Sequence, residues 1–350
     1  MIKRRQPAEW ARHDAVFIGW PSAADLWEDD LGPARAEVED FIRGVLFPDD
    51  TLRGEHVHLL ARGESARAAA EIMRKRFPDP SLLTIHEAPI GDVWLRDTGA
   101  VFAQENGRLV ASAFGFNGWG GKYSLDGDDR IAEETAAIAK VPMTRFDGFI
   151  GEGGALETDG EGTFITTRQC LLNPNRNPGM NEKDVERVLK DALGAEKTIW
   201  LDEGLLGDHT DGHVDNLARF VAPGKVVCMR PYGDDDPNAE VLAVIEKTLR
   251  AATDAAGRKL EVFTVPSPGL IAMDDEPTAA SHMNFYIANH SVVLPVYAAL
   301  SGDDRPGHEA AEILQGLLGR PHLFAVDSSH VLTGGGSFHC ISQQVPAIAR

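Results

Sequence analysis

The sequence predicts a mixed α/β fold assembled from several small sheets, and three observations carry that prediction. Short apolar or alternating runs read as strands, and segments with apolar residues three and four apart read as helices. Glycine-bearing turns tie neighbouring strands into hairpins, so strand pairs and single helices recur along the chain. With hydrophobic residues at 43% of 350, one large core region can be buried, and residues 1–350 are expected to form a single domain.

The elements follow in chain order. VFIGW (16–20) is a strand, GPARAEVEDFIRGVLF (32–47) a helix opened by proline, and HVHLLA (56–61) a strand. ESARAAAEIMRKRF (64–77) is helical, and ENG then joins VFAQ to RLVASA as a hairpin. DDRIAEETAAIAK (128–140) begins with aspartates that suit orphan amides. TDGEG joins ALE to TFITT (163–167), NEKDVERVLKDALG (181–194) is a helix behind an Asn cap, and KTIWL (197–201) is a strand. APGK joins LARFV to VVCM, the segment 236–256 reads as a long helix, and GHEAAEILQGLLG (307–319) precedes the strand HLFAV (322–326). Helices recur at spacings of roughly forty to seventy residues, which suits a supersecondary repeat, although no sequence match links the units.

Charge and composition exclude several classes of function. Lys and Arg number 34 against 54 Asp and Glu, a formal net charge of −20. Such a field repels phosphate backbones and anionic lipid, so neither nucleic acid nor membrane is an expected partner, whereas a small cation is attracted. No run of eighteen apolar residues and no secretory pattern occurs, and the expectation is a soluble cytoplasmic protein. Cys170, Cys228 and Cys340 are too few and too far apart for a disulfide framework, and no CxxC pair marks a zinc site. No GxGxxG or GxxxxGK[ST] follows a strand, so the nucleotide-binding folds lose their best support.

Four stretches pair glycine with residues that ionise or attack: WLRDTG (94–99), GEGGALE (151–157), GDHTDGHVDN (207–216) and GGGSFHC (334–340). Glycine permits the tight turns and close approaches that a site needs, and loops beside strands hold side chains on a rigid frame. In GDHTDGHVDN, His209 and His213 stand four apart, the spacing of a helical zinc pair, but Gly212 argues against that helix. Read as an extended segment, His213 and Asp215 point to one side, beyond a turn at TDG. The plain alternative is an acidic loop capped by its own aspartates. Arg96 and Asp97 by themselves suggest a salt bridge and a turn, and Glu152 is isolated between glycines. Cys170 and Cys228 lie in apolar runs and are expected to be buried and inert. Cys340 follows a glycine run and a histidine, a setting suited to an accessible nucleophile.

One thiol, one histidine and several carboxylates suit a guanidinium, which carries five donors and no acceptor. Carboxylates can grip its edges and hold its carbon before a thiolate. The thiolate adds, His213 protonates the departing nitrogen, ammonia leaves, and His213 then activates water against the S-amidino intermediate. This chemistry calls for no metal and no organic cofactor.

WLRDTGAVF, EGGALETDGEGT, LLNPNRNPG, TDGHVDN and GGGSFHCISQQVP together resemble, in order from about residue 10 to about 346, the agmatine deiminase branch of the bacterial-type peptidylarginine deiminase family, within the guanidino-modifying (pentein) superfamily. The resemblance implies an α/β propeller of five ββαβ units around a pseudo-fivefold axis, and hydrolysis of agmatine to N-carbamoylputrescine and ammonia. It also implies roles: Cys340 the nucleophile, His213 the general acid and base, and Asp97 and Asp215 the carboxylates that bind the guanidinium. Glu152 matches a glutamate that contacts the substrate nitrogens and supports His213, and Trp94 an aromatic lining the substrate tunnel. Arg176 in the LNPNRNP loop matches too, with a structural role expected.

The pattern departs at Ala23, where relatives commonly carry arginine, at the short segment WGGKYSLDGDD, and at His209, where an acidic residue is common. These departures concern the far end of the substrate rather than the guanidinium. Three alternatives stay open: another guanidine such as free, methylated or peptidyl arginine; a metal-dependent amidinohydrolase built on His209 and His213; and a polyamine-binding protein without chemistry. A homo-oligomer is compatible with all of them. The neighbouring His339 is expected to point away from the reacting sulfur.

Overall fold

The computed structural model describes residues 4–348 except 48, 50, 78, 79 and 274. Its architecture is one supersecondary unit used five times. In each unit two strands pair antiparallel, a helix follows, and a third strand returns parallel to the second. The first unit joins the two ends of the chain: Ser342–Pro346 pairs with His13–Gly19, helix Leu31–Leu46 follows, and His56–Ala61 runs parallel to His13–Gly19. The second has Val101–Glu105 and Arg108–Gly115, helix Ile131–Ala139 and strand Met143–Ile150. In the third, Glu157–Thr158 pairs with Thr163–Thr167, and Lys197–Leu201 returns after helix Glu182–Leu193. Ala218–Ala222, Lys225–Arg230, helix Ala239–Ala251 and Glu261–Pro266 form the fourth. Tyr286–Ile287, Ser291–Val296, helix Arg305–Leu318 and His322–Asp327 form the fifth. An additional helix, Glu64–Arg76, and strand Leu83–Glu87 extend the first sheet.

The hairpins at ENG, TDGEG and APGK stand where the sequence predicts them, with the tips Asn106 and Gly107 in the left-handed region that such turns require. One helix is shorter than expected. The segment read as helical over 236–256 stops at Ala251, because Asp254 accepts from the Arg258 backbone amide at 2.8 Å and turns the chain back, pairing Thr253 with Lys259. Among the described residues no helix is long and apolar enough to cross a membrane.

Packing anchors the segment that carries Cys340. Phe338, wholly buried, stacks on Phe41 of helix Leu31–Leu46 with ring centroids 5.0 Å apart. Burying such a ring is worth about 1.5–3 kcal/mol. Strand Ser342–Pro346 then locks into the first sheet, so the cysteine between these two anchors is held from both sides.

Candidate active site

The segments that lead into the first strand of each unit converge on one place. Trp94 and short helix Leu95–Thr98 precede Val101–Glu105, and Glu152 precedes Glu157–Thr158. His213 and Asp215 precede Ala218–Ala222, Asn284 precedes Tyr286–Ile287, and Cys340 precedes Ser342–Pro346. Local backbone makes this possible. Asp211 and Gly212 both take positive φ, turning His213 inward, and Val214–Asn216 form a 3-10 turn. The extended reading of 213–215 is thereby corrected: the backbone tightens because a left-handed pair feeds it. His213 and Asp215 nevertheless face the same pocket, and Gly154 measures how tightly. A Cβ there would lie 2.6 Å from His213 Nδ1, 2.8 Å from Asp97 Oδ1 and 3.1 Å from Asp215 Oδ2. Only glycine fits at that crossing.

Each charged group has an assigned neighbour. Asp97 Oδ2 accepts from Trp119 Nε1 at 2.9 Å and Oδ1 from the Gly154 amide at 3.0 Å. Glu152 Oε1 accepts from Arg176 Nε at 2.7 Å, while its Oε2 lies 3.8 Å from His213 Nε2. His213 Nδ1 lies 3.7 Å from Asp97 Oδ1, and neither ring nitrogen has a hydrogen-bond partner although the residue is wholly buried. Unpartnered buried nitrogens between two carboxylates are what a ring awaiting a ligand presents. Asp215 Oδ2 lies 3.5 Å from Cys340 Sγ and 2.8 Å from His339 Nδ1.

Electrostatics follow from this crowding. Burial, with Asp215 and Glu152 nearby, raises Asp97 to about 6, although His213 and Trp119 pull the other way. Burial also acts to raise Glu152, but His213 and Arg176 outweigh it and hold the carboxyl below its ordinary range. For Asp215, burial is likewise outweighed, by His339, His213 and Arg219. Burial disfavours charge on His213, yet Asp97, Cys170 and Glu152 lift it well above the usual imidazole range. Cys340 is pushed well up by burial and by Asp215 and Asp97. The resting site thus stores a proton on sulfur and another on imidazole.

Cys340 and Asp97 open onto a cavity of about 210 Å³ walled by Trp27, Trp94, Trp119 and Tyr123. Asp92 fixes two of these walls by accepting from Trp27 Nε1 at 2.8 Å and Trp94 Nε1 at 2.9 Å. Gly334 and Gly336 pass so close that a Cβ on either would lie 2.7 Å from the Trp94 ring, which accounts for the glycine run before the thiol. His209 stands at the cavity wall, its Nδ1 3.0 Å from the Tyr123 hydroxyl.

The sequence-derived residues Trp94, Asp97, Glu152, His213, Asp215 and Cys340 therefore come together, and His209 separates from His213. Among the described residues, the one set able to offer ligand atoms to a single ion is Glu152, Cys170 and His213, within 4.8 Å of one another. His209 is not part of it. Arg176 already neutralises Glu152, so a cation is poorly served there. Arg176 also gives content to its expected structural role, spanning Glu152 and Asp211 at 2.7 Å each.

Sequence reasoning misses Glu9 and Asn284 and reads His339 only as pointing away from the sulfur. His339 does turn from the sulfur, but into a buried link, its ring nitrogens 2.8 Å from Asp215 and 2.8 Å from Glu9. Glu9 in turn meets Arg219 at 2.8 Å. Asn284 Nδ2 donates to Cys340 Sγ at 3.0 Å. Asn284 stands in SHMNFYIA, where neither glycine nor a cluster of ionisable residues draws notice, and Glu9 in PAEWARH, which has ionisable residues but no glycine.

The family model described as Porphyromonas-type peptidyl-arginine deiminase matches residues 5–346. Agmatine deiminase of Stutzerimonas stutzeri (strain A1501) is 36% identical over 97% of this chain and 95% of its own. Agmatine deiminase of Enterococcus faecalis superposes with a TM-score of 0.89 at 30% identity, covering 99% of this chain and 97% of that one. A cysteine-to-serine variant of C. jejuni agmatine deiminase with substrate bound superposes at 0.85 and 27% identity, over 100% and 98% of the two chains. With the site's geometry and these likenesses in agreement, the chain belongs to the Porphyromonas-type peptidyl-arginine deiminase family.

Proposed function

We propose that the protein hydrolyses agmatine to N-carbamoylputrescine and ammonia, using Cys340 as nucleophile and His213 as acid and base. The observation that carries this reading is that Cys340 and Asp97 open onto one aromatic-walled cavity, with Asp215, Glu152 and the unpartnered buried imidazole of His213 packed against them. Asp97, Glu152 and Asp215 receive the guanidinium, and Trp94 with its aromatic neighbours lines the path of the apolar chain. The relatives and solved structures named agmatine deiminases favour this substrate over other guanidines.

The arrival of a cation reverses the resting electrostatics. Asp215 and Asp97 hold the Cys340 thiol up, and a guanidinium between them cancels that effect, so the thiol ionises when its target is in place. The sulfur's proton passes by way of Asp215 Oδ2, 3.5 Å away, to solvent, so that both carboxylates stay charged around the guanidinium. The thiolate adds to the guanidinium carbon, forming a C–S bond and a tetrahedral adduct. His213 gives its proton to one nitrogen, the C–N bond breaks and ammonia leaves. Water then adds to the S-amidino carbon as His213 takes one of its protons, and collapse breaks the C–S bond while the added hydroxyl's remaining proton goes to sulfur, leaving the ureido product, the thiol and a protonated His213. These steps consume one water and release one ammonia.

The same reading extends to architecture. Residues 1–350 form a single domain in which the five units stand as an α/β propeller around a pseudo-fivefold axis. Helix Leu31–Leu46 of the first unit packs on the last two strands of the fifth, and helix Arg305–Leu318 packs on the last strand of the fourth, as a ring demands. The test of function is ammonia release from agmatine, arginine, methylated arginines and a peptidylarginine, with intact mass to capture a Cys340 adduct. Agmatine should be turned over fastest, and equal rates on the peptide would overturn the small-molecule assignment.

A further inference from the structure

Four of the five units send a chemically reactive side chain to the site from the segment before their first strand, and the fifth sends Asn284. Its contacts are as specific as theirs. Nδ2 donates to Cys340 Sγ at 3.0 Å and to Asn216 Oδ1 at 2.9 Å. Oδ1 accepts from the amides of His339 at 3.1 Å and Cys340 at 3.2 Å. Both side-chain N–H bonds and the carbonyl are thus committed, in a residue only 1% exposed. The orientation of the amide is therefore fixed: a flipped Asn284 would aim its carbonyl at sulfur and its NH₂ at two amide donors.

The geometry points to Asn284 as a catalytic residue that stabilises the Cys340 thiolate and holds it in line with the guanidinium carbon. This rests on the reading of Cys340 as nucleophile and deepens it. Three features make the contact matter. The carboxylates Asp215 and Asp97, which the substrate requires, act against ionisation of the sulfur, and Asn284 supplies an uncharged donor that favours it without repelling the cation. Because the Cys340 amide is used by Asn284 Oδ1, it is not free as an oxyanion donor, which suits a reaction at a cationic centre where no oxyanion develops on the first addition. Finally, the Asn216 bond ties the clamp to the 3-10 turn that follows His213, so nucleophile and acid/base groups share one frame.

The test is the pH profile of Cys340 alkylation by iodoacetamide, read by peptide mass, in the full chain and in Asn284→Asp. That change keeps the shape and an acceptor for the two amides but replaces the donor with an oxygen that also brings charge. Asn284→Ala, which removes the donor without adding charge, is therefore measured beside it and must move the midpoint upward as well. The alkylation midpoint should move upward, with labelling at neutral pH slowed at least about tenfold, and kcat should fall by more than KM changes. Simple loosening of the loop would alter labelling at every pH without moving the midpoint, and a midpoint unchanged in folded Asn284→Asp would overturn the assignment. Should that variant not fold, Asn216→Ala frees the amide while leaving Asn284 in place. A smaller upward shift there supports the assignment, and no shift overturns it. Alkylation needs no substrate, so the two readings fail separately. A shifted profile in an enzyme that releases no ammonia removes the proposed function but keeps Asn284, and normal turnover with an unshifted profile does the reverse.

Discussion

Cys340 and Cys170 are two buried thiols at the same centre, and their difference bears on which of them suits the proposed nucleophilic role. Burial pushes both up, and each has a carboxylate near: Asp215 at 3.5 Å from Cys340, Glu152 at 3.9 Å from Cys170. Acidity therefore does not choose between them. Access does: Cys340 opens on the cavity, whereas Cys170 is fully enclosed behind Glu152 in a short helix after strand Thr163–Thr167. So does support, since Asn284 grips Cys340, while Cys170 packs among Leu171, Val185 and Leu189 in an apolar cluster. The lesson is that the sulfur suited to the proposed role is the one that shares the cavity with Asp97.

The largest break of this comparison is Cys340→Ala, which removes the only sulfur among the described residues that meets the cavity. Ammonia release should vanish with the circular dichroism spectrum unchanged, and surviving turnover would falsify the covalent route. Next comes His213→Gln, which keeps bulk but cannot carry the proton. A loss of about 10²–10⁴ in kcat is expected, as for other positioned acids and bases, with substrate still bound.

Asp97 sharpens the comparison through pH. Its carboxyl, raised to about 6, is neutral below that value and can no longer pair with a guanidinium. kcat/KM should therefore fall on the acid side by about tenfold per pH unit below the midpoint. Asp97→Asn should lower kcat/KM by about 10²–10³ and erase that limb. An acid limb that persists in the variant would assign it to another group.

How much of this was legible beforehand depends on what each residue's neighbours look like in one dimension. Trp94, Asp97, Glu152, His213, Asp215 and Cys340 lie beside glycines, because a close approach such as that at Gly154 leaves its mark in the local sequence. Hairpins were legible for the same reason. Asn284, Glu9 and Arg219 were not, since their partners lie far along the chain: Asn284 meets residues 216, 339 and 340, and Glu9 meets 219 and 339. A long-range polar contact has no period and no turn chemistry to announce it. The repeat itself was visible only as spacing, because its first unit is closed by the two ends of the chain.

The smallest expected effect lies at Cys170, and it is the most direct probe of the two-thiol argument. Cys170→Ala deletes one sulfur from a packed cluster beside Glu152, a change expected to destabilise the fold by roughly 1 kcal/mol. The change removes one of the groups that lift His213 but leaves the main contacts of the site, the Arg176–Glu152 pair and the two carboxylates beside His213, in place. kcat/KM for ammonia release should stay within about threefold of the parent enzyme, since no atom that touches the substrate is lost. In the parent enzyme, iodoacetamide should label Cys340 and spare Cys170, because the second thiol has no path to solvent. Equal labelling of both, or a loss of turnover in Cys170→Ala comparable to that in Cys340→Ala, would mean that the enclosed sulfur takes part. The distinction by access would then have to give way to one in which both thiols exchange protons with His213.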